Sequence, residues 1–446
     1  MSLVPTLRTL LPAAFGVLSG FAAVAQGADL LAVYQDAHRY DAQFASAQAA
    51  QAAGREALAQ GRAGLLPTIV LSANRMNNDL DFTIRNGVRS GKRYDSDGWT
   101  VSLTQPLFRW DRWAGYNQGE ARVAASEAQF ELARQDLILR VSQAYFDALQ
   151  ADESLSAAEA SKKAISEQLE EAKRAFEVGT KTVVEVHDAQ ARFDLASAQE
   201  IVARNDLNVK RQQLRQLTGK DYESLKNLKS GVALPWPQPD NMDKWAESAE
   251  QGYFGVQTAQ AQLAVADEEI SRQRAGHLPA LDLVASRGRA GQDFNAVAGG
   301  AGTDTNTTVV GLQLTVPLFA GGAVSSAVDQ AVALKNKAQS DLDNVRRTAA
   351  LQARQAYLGV ASGLAQVKAL EAALVSSQSA LDSNKLGFEV GVRTNIEVLN
   401  AQSQYYTTRQ NLVKARLDTL SALLKLKAAA GSLGDGDIAA VNGLLD

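Results

Sequence analysis

The chain of 446 residues contains no cysteine. That absence excludes a disulfide framework, thiolate metal sites, a thiol nucleophile and a lipid-modified N-terminal cysteine. Histidine is almost as scarce: His38, His187 and His277 lie far apart and show no ligand spacing, so neither a zinc site nor a triad is suggested. A basic excess is also missing. Lys and Arg number 45 against 49 Asp and Glu, and the formal net charge of −4 is the wrong sign for a dedicated nucleic-acid binder. With a mean hydropathy of −0.17, a bundle of transmembrane helices is excluded, since each would need about 20 apolar residues in a row and only one segment, at the N-terminus, approaches that. The Gly-rich stretches (Gly299-Gly300-Ala301-Gly302 and Gly321-Gly322) lack the lysine and the strand-to-helix context of a phosphate loop. Carboxylates are frequent, yet they follow ordinary helical charge spacing, as in Glu167, Glu170 and Glu171 with Lys173 and Arg174. Neither an enzyme nor a cofactor nor a metal is indicated.

What is present begins with an address. The apolar run from Leu10 to Ala25 follows Arg8 and ends on Ala23-Val24-Ala25, the small-residue pattern that a signal peptidase accepts. Residues 1–25 therefore read as an export signal, the alternatives being a membrane anchor or an amphipathic first helix.

An internal repeat organises the rest. Arg62-Ala63-Gly64 and Pro67 return as Arg274-Ala275-Gly276 and Pro279, and Gln143-Ala144-Tyr145 as Gln355-Ala356-Tyr357. Phe176-Glu177-Val178-Gly179 returns as Phe388-Glu389-Val390-Gly391, and Glu185-Val186 with Ala189-Gln190 as Glu397-Val398 with Ala401-Gln402. The offset is 212 residues in all of these and 211 for Pro106-Leu107-Phe108 against Pro317-Leu318-Phe319. The chain reads as two copies of one unit, 26–218 and 243–430, joined by 219–242 and followed by a tail, 431–446.

Each copy has one internal order. An Ala/Gln-rich helix of about 35 residues (29–64; 243–276) precedes a proline, which pushes its neighbour out of the helical region and opens an extended segment (67–76; 279–287). A polar loop (77–96; 288–306) leads to a second extended run (99–107; 308–318). There Trp99, Val101 and Leu103 alternate with Thr100, Ser102 and Thr104, and Val310, Leu312, Leu314 and Val316 with Gly311, Gln313 and Thr315. Runs of about ten residues suit tilted strands crossing a bilayer, or an ordinary hairpin on a soluble core. A helix of about 70 residues follows, with Ile138, Val141, Tyr145, Ala148 and Leu155 at coiled-coil spacings, and a helix of about 36 returns (182–218; 394–430). Two short helices end to end match one long one, so the fold class is mainly α, an antiparallel array of rods carrying a β-hairpin pair. Four strands cannot close a barrel, because small barrels need about eight. If these strands cross a membrane, several chains share one barrel, and the export signal fits the Gram-negative outer membrane, with most of the chain in the periplasm.

The helix-turn-helix tips, Phe176-Glu177-Val178-Gly179-Thr180 through Glu185 and Phe388-Glu389-Val390-Gly391-Val392 through Glu397, resemble those of the TolC family of outer membrane efflux and secretion ducts. The resemblance covers nearly the whole mature chain. It implies a homotrimer with a 12-stranded barrel in outer membrane lipid, a 12-helix periplasmic tunnel, and an equatorial belt built from the inter-repeat segment and the tail. It also implies a periplasmic adaptor meeting the tips at Val178, Gly179, Thr180, Val390, Gly391 and Val392, an inner-membrane ABC or RND-type transporter, and no nucleic acid. Carried over by position, the gate comprises Arg393 as the locking arginine, Glu185 as its acidic partner and Glu397 at the first acidic ring. Asn400 stands where a second ring acid is expected, Phe388 replaces a locking tyrosine, and Val184 replaces a polar partner. The implied lock rests mainly on Arg393 and Glu185. The missing lipidation cysteine leans towards a type I secretion-like branch. The competing reading is a non-conducting coiled-coil spacer whose hairpins pack rather than span.

Overall fold

The computed structural model describes residues 27–83, 87, 89–180, 182–229, 231–295 and 300–446. The expected export signal at 1–25 lies outside the described residues, as do Lys181 in the first tip and 296–299 in the second polar loop.

Each half of the chain runs through the same order of elements. The first comprises α1 (Leu30–Tyr40), α2 (Ala42–Ala63), β1 (Thr68–Thr83), β2 (Arg89–Phe108), α3 (Trp110–Glu177) and α4 (Val183–Thr218). The second comprises α5 (Met242–Gly252), α6 (Phe254–Arg274), β3 (Ala280–Gln292), β4 (Thr303–Thr315), α7 (Ala323–Glu389) and α8 (Asn395–Ala429); a short α9 (Asp435–Asn442) closes the chain. Helices α3 and α7 have 68 and 67 residues, so each is a rod of about 100 Å.

Three expectations need correction. The helix expected over 29–64 is broken at Asp41, whose backbone is extended (φ −61°, ψ 118°) and whose carboxylate accepts the Phe44 amide at 2.7 Å. Arg140, 99 residues along the chain, clasps that carboxylate with two bonds of 2.9 and 3.0 Å and holds the cap in place. The second copy breaks 212 residues later, at Tyr253, with no side-chain cap. The polar loops are also shorter than expected, because the antiparallel ladder continues through polar residues: β1 and β2 have 16 and 20 residues, and β4 stops at Thr315, ahead of Pro317. Cross-strand partners sustain the polar stretch, Arg93 to Asp79 at 2.8 Å and Asn77 to Asp95 at 2.7 Å. Finally, the N-terminal run is not the sole long apolar stretch. An 18-residue window of α7 is apolar enough to cross a membrane by composition, though it lies in a rod packed along α8.

The four strands form one antiparallel sheet in the order β1-β2-β3-β4. Below it the helices form a single layer with the same lateral order. Nearer the sheet the neighbours run α2, α3, α6, α7; towards the tips they run α4, α3, α8, α7, since α3 and α7 span both levels. The principal core lies where the short helices meet end to end. Leu30, Val33 and Ala37 of α1, Ile138, Val141 and Tyr145 of α3, Leu420 and Leu424 of α8 and Ile438 of α9 pack there. The inter-repeat segment and the tail are tied to this core by backbone bridges, Ala28 with Leu225 and Leu228 with Leu445. The Tyr145 hydroxyl joins them, donating towards the carbonyls of Ala28 (3.0 Å) and Lys226 (2.8 Å). Burial pushes its pKa upward, so it remains a donor.

Tyr145→Phe leaves those two carbonyls without their shared donor. The expected cost is about 1–3 kcal/mol, read as a lower thermal midpoint by circular dichroism; an unchanged midpoint would remove Tyr145 as the tie between the belt and α3.

Candidate functional site

The sheet is two-faced, and its register shows how. Paired residues share a face, so Leu103, Ala285 and Val310 lie in one row, as do Ala73, Trp99, Arg289 and Asn306. One face therefore collects Ile69, Leu71 and Ala73, then Trp99, Val101 and Leu103, then Leu281, Leu283 and Ala285, then Val310, Leu312 and Leu314. The other carries mostly small or polar residues such as Ser72, Thr100, Ser102, Ser286, Gly311 and Gln313, interspersed with Val70, Val284 and Val309. The first face is not packed on any core: Ile69, Leu71, Val310 and Leu312 are each about two-thirds exposed.

The apolar band is also tilted. Its outer limit falls at the pair Ala73–Trp99 on β1 and β2 but at the pair Ala285–Val310 on β3 and β4, and Ala285 pairs with Leu103, four residues from Trp99. Four residues are about 13 Å along a strand, and three inter-strand steps are about 14 Å. A level membrane boundary then leaves the strands tilted by about 45° from the membrane normal, at the upper end of the 35–45° tilt of transmembrane barrels. Exposed Phe108, Trp110 and Trp113 mark the opposite rim, where the strands run into helices.

At the far end of the rods are two matching turns. Each long helix ends one residue before a valine (Val178; Val390), and a glycine follows in the left-handed region, Gly179 at φ 78° and Gly391 at φ 77°. Their amides return to Phe176 and Phe388, at 2.9 and 3.0 Å. A Cβ there would add about 1–2 kcal/mol of strain. Val178, Thr180, Val390 and Val392 are exposed around the glycines.

Next in each tip comes a threonine N-cap, Thr182 or Thr394, with Glu185 or Glu397 three residues on. The two expected gate acids are thus also capping-box acids. The Thr-x-x-Glu spacing in both copies carries this signal, which an assignment of the acids to the pore alone overlooks. The second cap is the tighter: the Thr394 amide reaches Glu397 at 2.7 Å, against 3.4 Å from Thr182 to Glu185. Arg393 adds an ion pair to the other oxygen of Glu397 at 2.6 Å. Accepting the Thr394 amide, then the Arg393 guanidinium and the Thr394 hydroxyl, holds the Glu397 carboxyl at about 2, far below its usual 4.5.

Within one chain, then, Arg393 is engaged by Glu397 rather than by Glu185. Asn400 is exposed one turn beyond Glu397, on the same side of α8. Phe388 and Glu185 come together with Val184 across a groove of about 660 Å³ between the two hairpins, which Ile165, Asp188 and Ile396 also line.

A sheet with one lipid-compatible and one water-compatible face, continued by a layer of long helices, defines a class of membrane-anchored ducts. The chain belongs to the outer membrane efflux protein family, whose sequence profile matches residues 33–220 and again 245–432. It is 33% identical over 98% of its length to "Outer membrane protein TolC" of Escherichia coli, 90% of which is covered. It is 34% identical over 92% of its length to "Alkaline protease secretion protein AprF" of Pseudomonas aeruginosa, 85% of which is covered. In fold it is similar to the CmeC outer membrane channel of Campylobacter jejuni, with a TM-score of 0.77, 17% identity, and 99% and 98% of the two chains covered. It is an outer membrane protein of the TolC family and a channel for efflux or secretion. That the family is one of channels supports the non-enzymatic reading.

The second cap has a defined pH dependence. Since the folded pKa of Glu397 is depressed, its stabilisation is complete above about 4.5 and is lost as the pH falls through about 2. Hydrogen-exchange protection at 394–398 should follow that course and lose its pH dependence in Glu397→Gln; the same profile in the variant would assign the protection elsewhere.

Proposed function

We propose that three copies of the chain close a shared 12-stranded barrel and 12-helix tunnel, a passive duct from periplasm to exterior, gated at the helical tips. The carrying observation is that both lateral edges of this chain are unfinished at every level. Among the described residues β1 and β4 have no partner on their outer sides, and each such backbone group would cost several kcal/mol in lipid. The edge rods below expose apolar seams at seven-residue spacing, Leu195, Val202 and Val209 on α4 and Leu351 and Leu358 on α7. The apolar window of α7 thereby serves a neighbouring copy rather than a membrane. The chain exposes 27415 Å², against about 16,000 Å² for a compact monomer of its mass. Two copies would give eight strands, whose interior side chains fill. Three give about 24 Å between opposite backbones, enough for water over the small polar inner face.

In the closed ring the tips converge, with Glu397 and Asn400 towards the axis and Arg393 within reach of a neighbouring Glu185. Because Arg393 already has a partner in its own chain, this lock exchanges one ion pair for another, and with Phe388 in place of a tyrosine it is loose. The exposed valines beside Gly179 and Gly391 suit a periplasmic adaptor, which would couple the duct to an inner-membrane ABC or RND-type transporter. Likeness to a protease secretion protein, together with the missing lipidation cysteine, favours type I secretion. A non-conducting spacer would need no apolar band tilted to the angle of a barrel.

Planar-bilayer conductance of the mature protein tests the duct and its gate. Small cation-selective steps are expected, enlarged by Arg393→Ala and less cation-selective in Glu397→Ala. Folded protein that never conducts would favour the spacer, and an unchanged Arg393→Ala conductance would remove Arg393 from the gate.

A further inference from the structure

On the outward face of the sheet, β3 carries two arginines directly beyond the last apolar residue. Above Ala285 come Arg287, in the row of Val101 and Thr308, and Arg289, in the row of Trp99 and Asn306. Both are exposed, and residues two apart on one strand face stand about 7 Å from each other. The Arg289 guanidinium is held by Asp304 at 2.8 Å, and Asp97 and Asp304 flank Gly291 one row further out. Arg75, also in that outer region, is taken by Asp95 at 3.4 Å. The Arg287 guanidinium makes no ion pair or hydrogen bond with any described residue.

β3 lies inside the sheet, flanked by β2 and β4 of the same chain. Copies added at the β1 and β4 edges therefore leave this face towards the membrane. The end at issue is the one bearing the strand-to-strand turns, away from the helices, so it meets the outer leaflet. Whatever occupies Arg287 there must place an anionic head beside the guanidinium and an apolar body over Ala285, Val101 and Leu103.

We infer that Arg287, assisted by Arg289 and the Trp99 ring, binds a phosphate carried by an outer-leaflet lipid. Guanidinium forks match phosphate oxygens geometrically, and a phosphorylated glycolipid supplies both the anion and the acyl chains. Arginine at a barrel rim costs little in itself, and a phosphate partner makes its placement favourable. Asp304, on the same face one row nearer the turns, already holds the second arginine, so the site takes one phosphate rather than a polyanion. The inference rests on the duct reading, because only a lipid-embedded sheet turns this face to the leaflet.

The test is native mass spectrometry of the purified full-length protein titrated with a bisphosphorylated disaccharide glycolipid, with the same lipid after phosphatase treatment, and with inorganic phosphate as competitor. The phosphorylated lipid should be retained about tenfold more tightly, with that preference lost in Arg287→Gln/Arg289→Gln and inorganic phosphate competing only weakly. Equal retention of the two lipids, or an unchanged preference in the double variant, overturns the inference; equally potent inorganic phosphate overturns the lipid source. If the double variant does not assemble, the comparison of the two lipids on the parent protein decides. Parallel conductance separates the two readings. A conducting protein without lipid preference keeps the duct and loses the site, whereas one that never inserts loses both.

Discussion

A backbone amide or carbonyl left unpaired in lipid costs several kcal/mol, and no side chain can rescue a whole row of them. The architecture of this protein answers to that constraint. One chain builds four strands whose inner pairings are complete and whose two outer edges are open. The helical layer has matching lateral order, with rods α3 and α7 continuing from β2 and β4. The same two flanks that must be closed in the membrane thus carry the apolar seams of α4 and α7 in the periplasmic part. A single act of closure satisfies both levels, which is why the proposed ring accounts for the sheet and the rods together.

The interior of the rod layer is economical in apolar area. Alanine dominates many helix contacts, as with Ala249, Ala259, Ala349 and Ala353, so neighbouring helices approach closely while burying little surface each. Large side chains are concentrated at the belt, where Tyr145, Phe44 and Phe146 are buried and the inter-repeat segment and tail converge. Stability gathered in the middle leaves the distal tips to local devices: left-handed glycines, threonine caps and one ion pair. Tips held by local devices far from the belt suit the proposed gate, which would have to open there without unfolding the core.

Much of this was legible in the sequence. The 212-residue offset gave two equivalent units, proline and period-two alternation located the strands, and the tip glycines marked the ends of the rods. The two helix breaks were not legible. Asp41 caps α2 because Arg140 holds it, a contact between residues 99 apart, and Tyr253 occupies the equivalent place without any capping group. The full strand lengths escaped for another reason. Ladder hydrogen bonds are blind to side-chain polarity, so Asn77, Asp79 and Arg93 remain in strand where composition reads as loop.

The candidate site divides in the same way. Glu185, Glu397, Arg393 and the tip valines came from the resemblance of the tip motif, while the caps and tight turns that hold them are written within a few residues of local sequence. The Arg393 contact is equally local, since Glu397 lies four residues on at helical spacing, whereas the expected partner Glu185 belongs to the other hairpin. Likewise the sequence alone determined which residues of each strand alternate, but only the register between strands turned four separate alternations into one tilted apolar band, with Arg287 and Arg289 just beyond it. Alternation is a property of one strand, whereas a membrane boundary is a property of neighbouring strands paired at a fixed offset.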